Sequence, residues 1–131
     1  MAERKRILLV EDDEINTLLV IEALVELPYE VDAAVSGDEG VRLFEQRHYD
    51  LVIMDVQLPG LDGFQATARI REQEQRTDGR HTPILAATAN AYPTDRARCL
   101  AAGMDDYLSK PFDLDVFIER VAQLTDRPAS R

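Results

Sequence analysis

The chain alternates short apolar runs with longer stretches in which apolar residues recur every three or four positions. The short runs predict strands at Arg6 to Val10, Glu30 to Val35, Leu51 to Met54, Ile84 to Ala87 and Tyr107 to Ser109. The first, third and fourth are apolar almost throughout, as parallel strands covered on both faces must be. Helical periodicity fills the intervals, at about 14–27, 38–47, 63–76, 94–102 and 113–126. In the last interval Leu114, Phe117, Ile118, Val121 and Ala122 recur at helical spacing and predict one stripe facing a core. The fourth interval has a poorer stripe, only Ala97, Leu100 and Ala101, and is predicted to be the least firmly packed.

Local signals agree with this division. Ser36-Gly37-Asp38-Glu39 has the spacing of a capping box opening the second helix, and Gly103 suits the left-handed residue that closes the fourth. Five strand-then-helix units joined by short connections imply crossovers between parallel strands. The predicted class is therefore α/β, an open, doubly wound parallel sheet with helices on both faces. At 131 residues the chain suits one domain, with no internal repeat or linker and with a polar tail, Thr125 to Arg131, expected to fray.

Composition narrows the partners. A net charge of −10 argues against binding the phosphate backbone of nucleic acid, and no basic stripe interrupts that field. Arg4-Lys5-Arg6 reads as a solvated strand entrance. The single cysteine, Cys99, excludes an internal disulfide, fits a reducing compartment and reads as a small apolar helix residue. The N-terminal apolar run is too short for a signal peptide, and no run of ~18 apolar residues suggests a membrane span. The cytoplasm is the expected location.

In open α/β sheets, ligands bind beyond the carboxyl ends of the strands. At those ends stand Glu11-Asp12-Asp13, then Asp55, Thr88 and Lys110-Pro111. Clustered acids suit a hard cation such as Mg²⁺, while Lys110 offers a point charge and Thr88 a hydroxyl for phosphate oxygens. This is apparatus for phosphoryl transfer. Asp55 emerges from an apolar strand into Val56-Gln57-Leu58-Pro59-Gly60, and an aspartate there can act as a nucleophile that forms an aspartyl phosphate. Neither G-x-x-x-x-G-K-[ST] nor G-x-G-x-x-G occurs, so a nucleotide-binding loop is not indicated.

With these residues in place, the chain resembles the receiver domain of two-component response regulators, from about Arg6 to Leu124. The resemblance rests on VEDD (Val10 to Asp13), MDVQLPGLDG (Met54 to Gly63), ATANA (Ala87 to Ala91) and DYLSKPF (Asp106 to Phe112), in order and at successive strand ends. It implies a flavodoxin-like fold, five parallel strands in the order 2-1-3-4-5 with five helices. It also implies a phosphorelay function in which Asp55 accepts a phosphoryl group from a histidine kinase or a histidine phosphotransfer protein. Such a domain catalyses its own phosphorylation and dephosphorylation and is not an enzyme acting on a separate substrate.

The resemblance assigns roles position by position. Asp12 is the direct metal ligand, Glu11 acts mainly through water, and the backbone carbonyl of Gln57 completes the protein's share of a Mg²⁺ shell, with Mn²⁺ as an alternative ion. Thr88, the backbone N–H of Ala89 and Lys110 meet phosphoryl oxygens, and the Lys110-Pro111 bond is similar to one that is cis in the family. Gln57 and Asn90 stand where the family tunes phosphoryl lifetime, and Tyr107 where an aromatic turns inward as Thr88 moves. The fourth helix, fifth strand and fifth helix form the implied signalling face toward a downstream protein.

The remaining conspicuous residues carry plainer expectations. Asp13 falls one place beyond the acidic pair and reads as a charge or cap at the first helix's start. Asp62-Gly63 and Pro59-Gly60 read as turn chemistry, with Gly63 also easing close packing at the next helix start. Asp105 and Asp106 read as solvated loop charges, and His48 and His81 as residues without chemical role. A haloacid-dehalogenase-like phosphatase would share the nucleophile, hydroxyl, lysine and metal. It would, however, place a second Asp where Gln57 stands. A receiver-like module that has lost phosphorylation is the other alternative. Wording such as VEDDEIN, ARIREQE and GMDDYLSKPF resembles receivers attached to hybrid histidine kinases, the preferred reading, and also single-domain regulators.

Overall fold

The computed structural model describes residues 5–25, 27, 29–77, 79–88, 93–110 and 113–126, with side chains at all of these but 25 and 93–95. A strand can be apolar on both faces only where both are covered, and the three apolar runs occupy the middle of the sheet for that reason. They are β1 (Lys5–Val10), β3 (Leu51–Asp55) and β4 (Ile84–Thr88), with β2 (Tyr29–Ala34) and β5 (Asp106–Ser109) at the edges. The order is β2-β1-β3-β4-β5, parallel throughout.

Alternation then sorts the side chains into two cores. Leu8, Val10, Val52, Met54, Ile84 and Ala86 point to one face, under α2 (Gly37–Gln46), α3 (Gly63–Arg76) and α4 (Pro93–Ala101). Ile7, Leu9, Leu51, Ile53 and Leu85 point to the other, under α1 (Glu14–Val25) and α5 (Leu114–Thr125). Among the described residues, no helix is long and apolar enough to cross a membrane.

The cap expectations hold with one change of partner. The Glu39 N–H donates to Ser36 Oγ at 3.2 Å, but the Glu39 carboxylate accepts from the Val35 N–H at 2.8 Å and leaves that of Ser36. The complete capping box lies at α3, where Asp62 and Gln65 exchange bonds of 2.8 and 3.0 Å. Gly103 has φ 104°. Its N–H reaches the Leu100 carbonyl, and that of Met104 the Cys99 carbonyl, the double bond set that ends a helix in a left-handed residue.

Several expectations are corrected. In α4 the predicted stripe of Ala97, Leu100 and Ala101 faces solvent, and the residue that enters the core is Cys99, 1% exposed. So short a helix meets the core through little more than one turn, which three alanine and leucine positions do not single out. In α5 the seam is Phe117, Val121 and Leu124, spaced i, i+4, i+7; Leu114 is exposed, and Ile118 and Ala122 sit at the margin. Thr125 does not belong to a frayed tail: it ends α5 buried, its hydroxyl donating to the Val121 carbonyl at 2.8 Å. The Lys5-Arg6 entrance is tied down as well, Lys5 to Asp126 and the Thr125 carbonyl, Arg6 to Glu30.

Asp105 and Asp106 are ion-paired rather than free. Asp105 bonds Arg71 at 2.9 Å and His81 at 2.7 Å, and Asp106 bonds Arg120 at 2.8 Å. Residues far apart in the chain supply these partners, so local sequence gave no hint of them.

Candidate phosphoryl-transfer site

Each candidate acid is delivered by the end of a central strand. The β1 run buries Ile7 to Val10, and Glu11, the next residue, is still 4% exposed, held by its own N–H on the Ala34 carbonyl at 2.9 Å. The chain then leaves the sheet, so Asp12 and Asp13 are exposed. Asp13 Oδ1 accepts from the Ile15 N–H at 2.9 Å, the bond of a cap on α1, as expected from its offset.

Asp55 is the last residue of β3, one place further into the strand than the apolar run suggested, because the Val56 N–H continues the ladder to the Ala87 carbonyl at 3.0 Å. Its side chain is buried, and Oδ1 accepts from the Gln57 N–H at 3.0 Å. Gly63 is required beside it for room: a Cβ there would fall 2.3 Å from the Asp55 carbonyl oxygen. Thr88 ends β4 buried, and its carbonyl accepts the Lys110 N–H at 2.7 Å, which sets Lys110 immediately after β5.

Tertiary structure brings these groups together. Lys110 Nζ lies 2.8 Å from Glu11 Oε1 and 3.2 Å from Asp55 Oδ2. Carboxylate oxygens of Glu11, Asp12 and Asp55 all lie within 4.8 Å of one another. Burial first, and then the neighbouring Glu11 carboxylate, push Asp55 up to about 7, while the Gln57 N–H and the Lys110 charge oppose the rise. Burial alone would pull the Lys110 ammonium down, but the hydrogen bond to Glu11 and the charges of Asp55 and Glu11 outweigh it and hold Lys110 above its ordinary value.

The acidic cleft also takes in Gln57 and Asn16, the latter bonded to Asp13 at 3.3 Å and not anticipated from sequence. A second cleft adjoins it beyond Gln57 and Thr88, where Arg98 of α4 stacks 4.8 Å over the Phe64 ring. The only cue to Arg98 was a basic residue on a weakly patterned helix. Tyr107 is half-buried in β5 with the Arg96 guanidinium 6.0 Å from its ring centre, so α4 and β5 touch as expected. Ala89, Asn90 and Pro111 lie outside the described residues.

Two buried acids and one exposed acid around a lysine, at the carboxyl edge of a 2-1-3-4-5 sheet, narrow the comparison to one group of proteins. The model of the response regulator receiver domain matches residues 7–122. The chain belongs to that family. It is a receiver domain of two-component phosphorelay signalling. This receiver is 43% identical over 122 residues to the transcriptional regulatory protein TcrA of Mycobacterium tuberculosis, covering 93% of the chain and 46% of TcrA. It is 44% identical over 106 residues to the sensor protein GacS of Pseudomonas syringae, covering 81% of the chain and 12% of GacS. The receiver thus spans less than half the length of these relatives.

Among solved structures, the receiver domain of the sensor histidine kinase PA1611 from Pseudomonas aeruginosa, with a magnesium ion coordinated in its active site cleft, matches at 41% identity. The TM-score is 0.84, over 94% of this chain and 98% of that one. The receiver domain of Ssk1 from Saccharomyces cerevisiae, crystallised with the histidine phosphotransfer protein Ypd1, matches at 28% identity and TM-score 0.86, over 95% and 91%.

Proposed function

We propose that this receiver, one domain with its core at about 6–124, takes a phosphoryl group from a partner's phosphohistidine onto Asp55. The observation that carries the reading is the single lysine shared by two buried carboxylates of different strands, with a third acid beside them. Nothing in a stable core calls for that arrangement, because bringing like charges together under burial opposes folding.

The acids fit a divalent cation. Glu11, Asp12 and Asp55, with the Gln57 carbonyl, would hold Mg²⁺ or Mn²⁺, and the all-oxygen donor set is what such ions take. When bound, the ion supplies positive charge that lets two anions, the carboxylate and the incoming phosphoryl, approach. In the transfer itself, an Asp55 carboxylate oxygen attacks phosphorus in line, forming the O–P bond as the P–N bond to the donor imidazole breaks. The electron pair stays on the imidazole, which takes up a proton. Lys110 turns from its carboxylates toward the phosphoryl oxygens, and the Thr88 hydroxyl and the Ala89 N–H donate to others. Water later cleaves the acyl phosphate, with Gln57 and Asn90 flanking its approach. Both reactions are the domain's own catalysis.

Phosphorylation then draws Thr88 toward the phosphoryl group and Tyr107 inward, changing the face of α4, β5 and α5 that a downstream protein reads. The donor side is supported by α1, which is apolar on nearly all sides and leaves Ile15, Leu18 and Leu19 exposed directly after the Asp12-Asp13 rim. A helical histidine kinase or phosphotransfer protein that places its phosphohistidine over Asp55 would cover that face. A single cysteine in the sequence, the buried Cys99, suits the cytoplasm, where such donors act. The hybrid signal transduction histidine kinases of Dictyostelium discoideum among this receiver's relatives support a receiver of the hybrid-kinase type.

Intact-mass spectrometry with Mg²⁺ and a small acyl-phosphate donor tests the assignment. One added phosphate is expected on the wild type and none on Asp55→Asn; equal labelling of both would overturn it.

A further inference from the structure

A densely bonded arginine lies at the opposite end of the sheet from the acidic cleft. Arg71 of α3 is 16% exposed and makes five hydrogen bonds. Its Nε and Nη2 donate to the Gly103 carbonyl at 3.0 and 2.7 Å, and Nη2 also to Asp105 at 2.9 Å. Its Nη1 donates to Glu74 at 2.8 Å and to the Thr82 carbonyl at 2.9 Å. One guanidinium therefore joins α3, the entrance to β4 and the turn between α4 and β5.

The partners are themselves held. Asp105 accepts from the Ile84 N–H at 2.8 Å, and Glu74 from the Thr82 N–H at 2.7 Å. The turn is also built to admit the arginine: a Cβ at Gly103 would stand 3.3 Å from Arg71 Cγ, in a backbone conformation with φ 104°. A planar fork of five donors can make all five bonds to these segments at once, whereas an ammonium has only three donors on one atom.

Among the described side chains of α4, burial is confined to the C-terminal turn. Arg96, Ala97, Arg98, Leu100 and Ala101 are exposed, with only the guanidinium groups of Arg96 and Arg98 lying over the Tyr107 and Phe64 rings, and the buried Cys99 belongs to the last turn. Beyond it come the helix-ending bonds of Gly103 and Met104, buried Met104, and the Arg71 clamp. Nothing in the transfer chemistry uses this clamp. We infer that Arg71 is a positioning residue that fixes the C-terminal end of α4 as a pivot, so that phosphorylation at the far edge swings the end nearer Thr88. A helix held at one end converts a displacement at the other into a change of tilt, which alters the α4 and β5 face without disturbing the sheet.

The inference rests on Asp55 being the phosphoacceptor, and hydrogen–deuterium exchange on the full chain separates the two. In the unphosphorylated state, Arg71→Lys is expected to speed exchange of residues 100–105 at least tenfold and leave residues 51–57 unchanged. This comparison needs no phosphate, and unchanged exchange at 100–105 refutes the clamp. In the wild type, Mg²⁺ and an acyl phosphate should alter exchange in the first turns of α4 while 100–105 stay protected. In Arg71→Lys, Asp55 should label within twofold of the wild-type rate, yet the change should spread through 100–105. A wild-type change that spans both ends of α4 equally refutes the pivot. Absence of phosphate uptake by the wild type refutes instead the role of Asp55 and, with it, the pivot's function.

Discussion

Asp55 sits between one neighbour that favours its proton, Glu11, and one that opposes it, Lys110, and the balance with burial holds its proton to about pH 7. Its ordinary value is 3.8, so the folded protein keeps a proton that the unfolded chain releases. The stabilisation from this group is complete below about pH 4 and is lost as pH rises toward about 7. In the proposed site a divalent cation would bind the ionised cluster, so Mg²⁺ should raise the melting temperature more at about pH 8 than at about pH 5. Thermal melts at the two values decide it, and an equal rise would show that the acids are not the cation's ligands. In the proposed site the two exposed acids, Asp12 and Asp13, would differ in role although they are neighbours. Asp12→Ala should weaken Mg²⁺ binding at least tenfold in a fluorescence or calorimetric titration. Asp13→Ala should leave affinity nearly intact and cost about 1 kcal/mol of stability through the lost α1 cap.

At the scale of elements, the site is a product of how strands end. β3 and β4 carry Asp55 and Thr88 as their last residues, and α3 starts so close behind β3 that only a glycine fits at its first position. Gly63→Ala should therefore destabilise the protein by about 3 kcal/mol and slow labelling of Asp55, since the methyl would press on that residue's own carbonyl. Urea unfolding and the rate of phosphate uptake measure both effects; a neutral substitution would mean that α3 can shift without consequence. β1, β3 and β4 were legible because unbroken apolar runs have few other uses. The start of α3 was legible from Asp62-Gly63, although a turn signal alone does not reveal the capping box that Asp62 completes with Gln65. The packed face of α4 was not legible: among its described side chains the core contact is a cysteine, and exposed alanines and leucine mimic a stripe.

For the whole molecule, the arrangement divides the surface by task. The carboxyl edge holds the acids, α1 offers apolar side chains beside them, and Arg71 ties the opposite edge to α4. Leu18 is 56% exposed, so Leu18→Glu should change stability by no more than about 0.5 kcal/mol and leave labelling by a small acyl phosphate unaltered. Transfer from a phosphohistidine protein, in contrast, should fall at least tenfold, because a charge would be buried against the donor helix. Phosphotransfer assays with both donors compare these outcomes, and an equal fall with each would place Leu18 in folding and not in docking.

The sequence by itself determined the strands, the class of fold, and the acids, hydroxyl and lysine at successive strand ends, because apolar runs and their termini are local properties of the chain. The resemblance carried by those motifs added their roles. Tertiary structure alone decided that Lys110 bridges Glu11 and Asp55, that Asp55 keeps its proton to about pH 7, and that Asp105 belongs to Arg71 and His81. Each of these depends on distances between residues tens of positions apart, and on burial, neither of which is encoded in the spacing of any one segment.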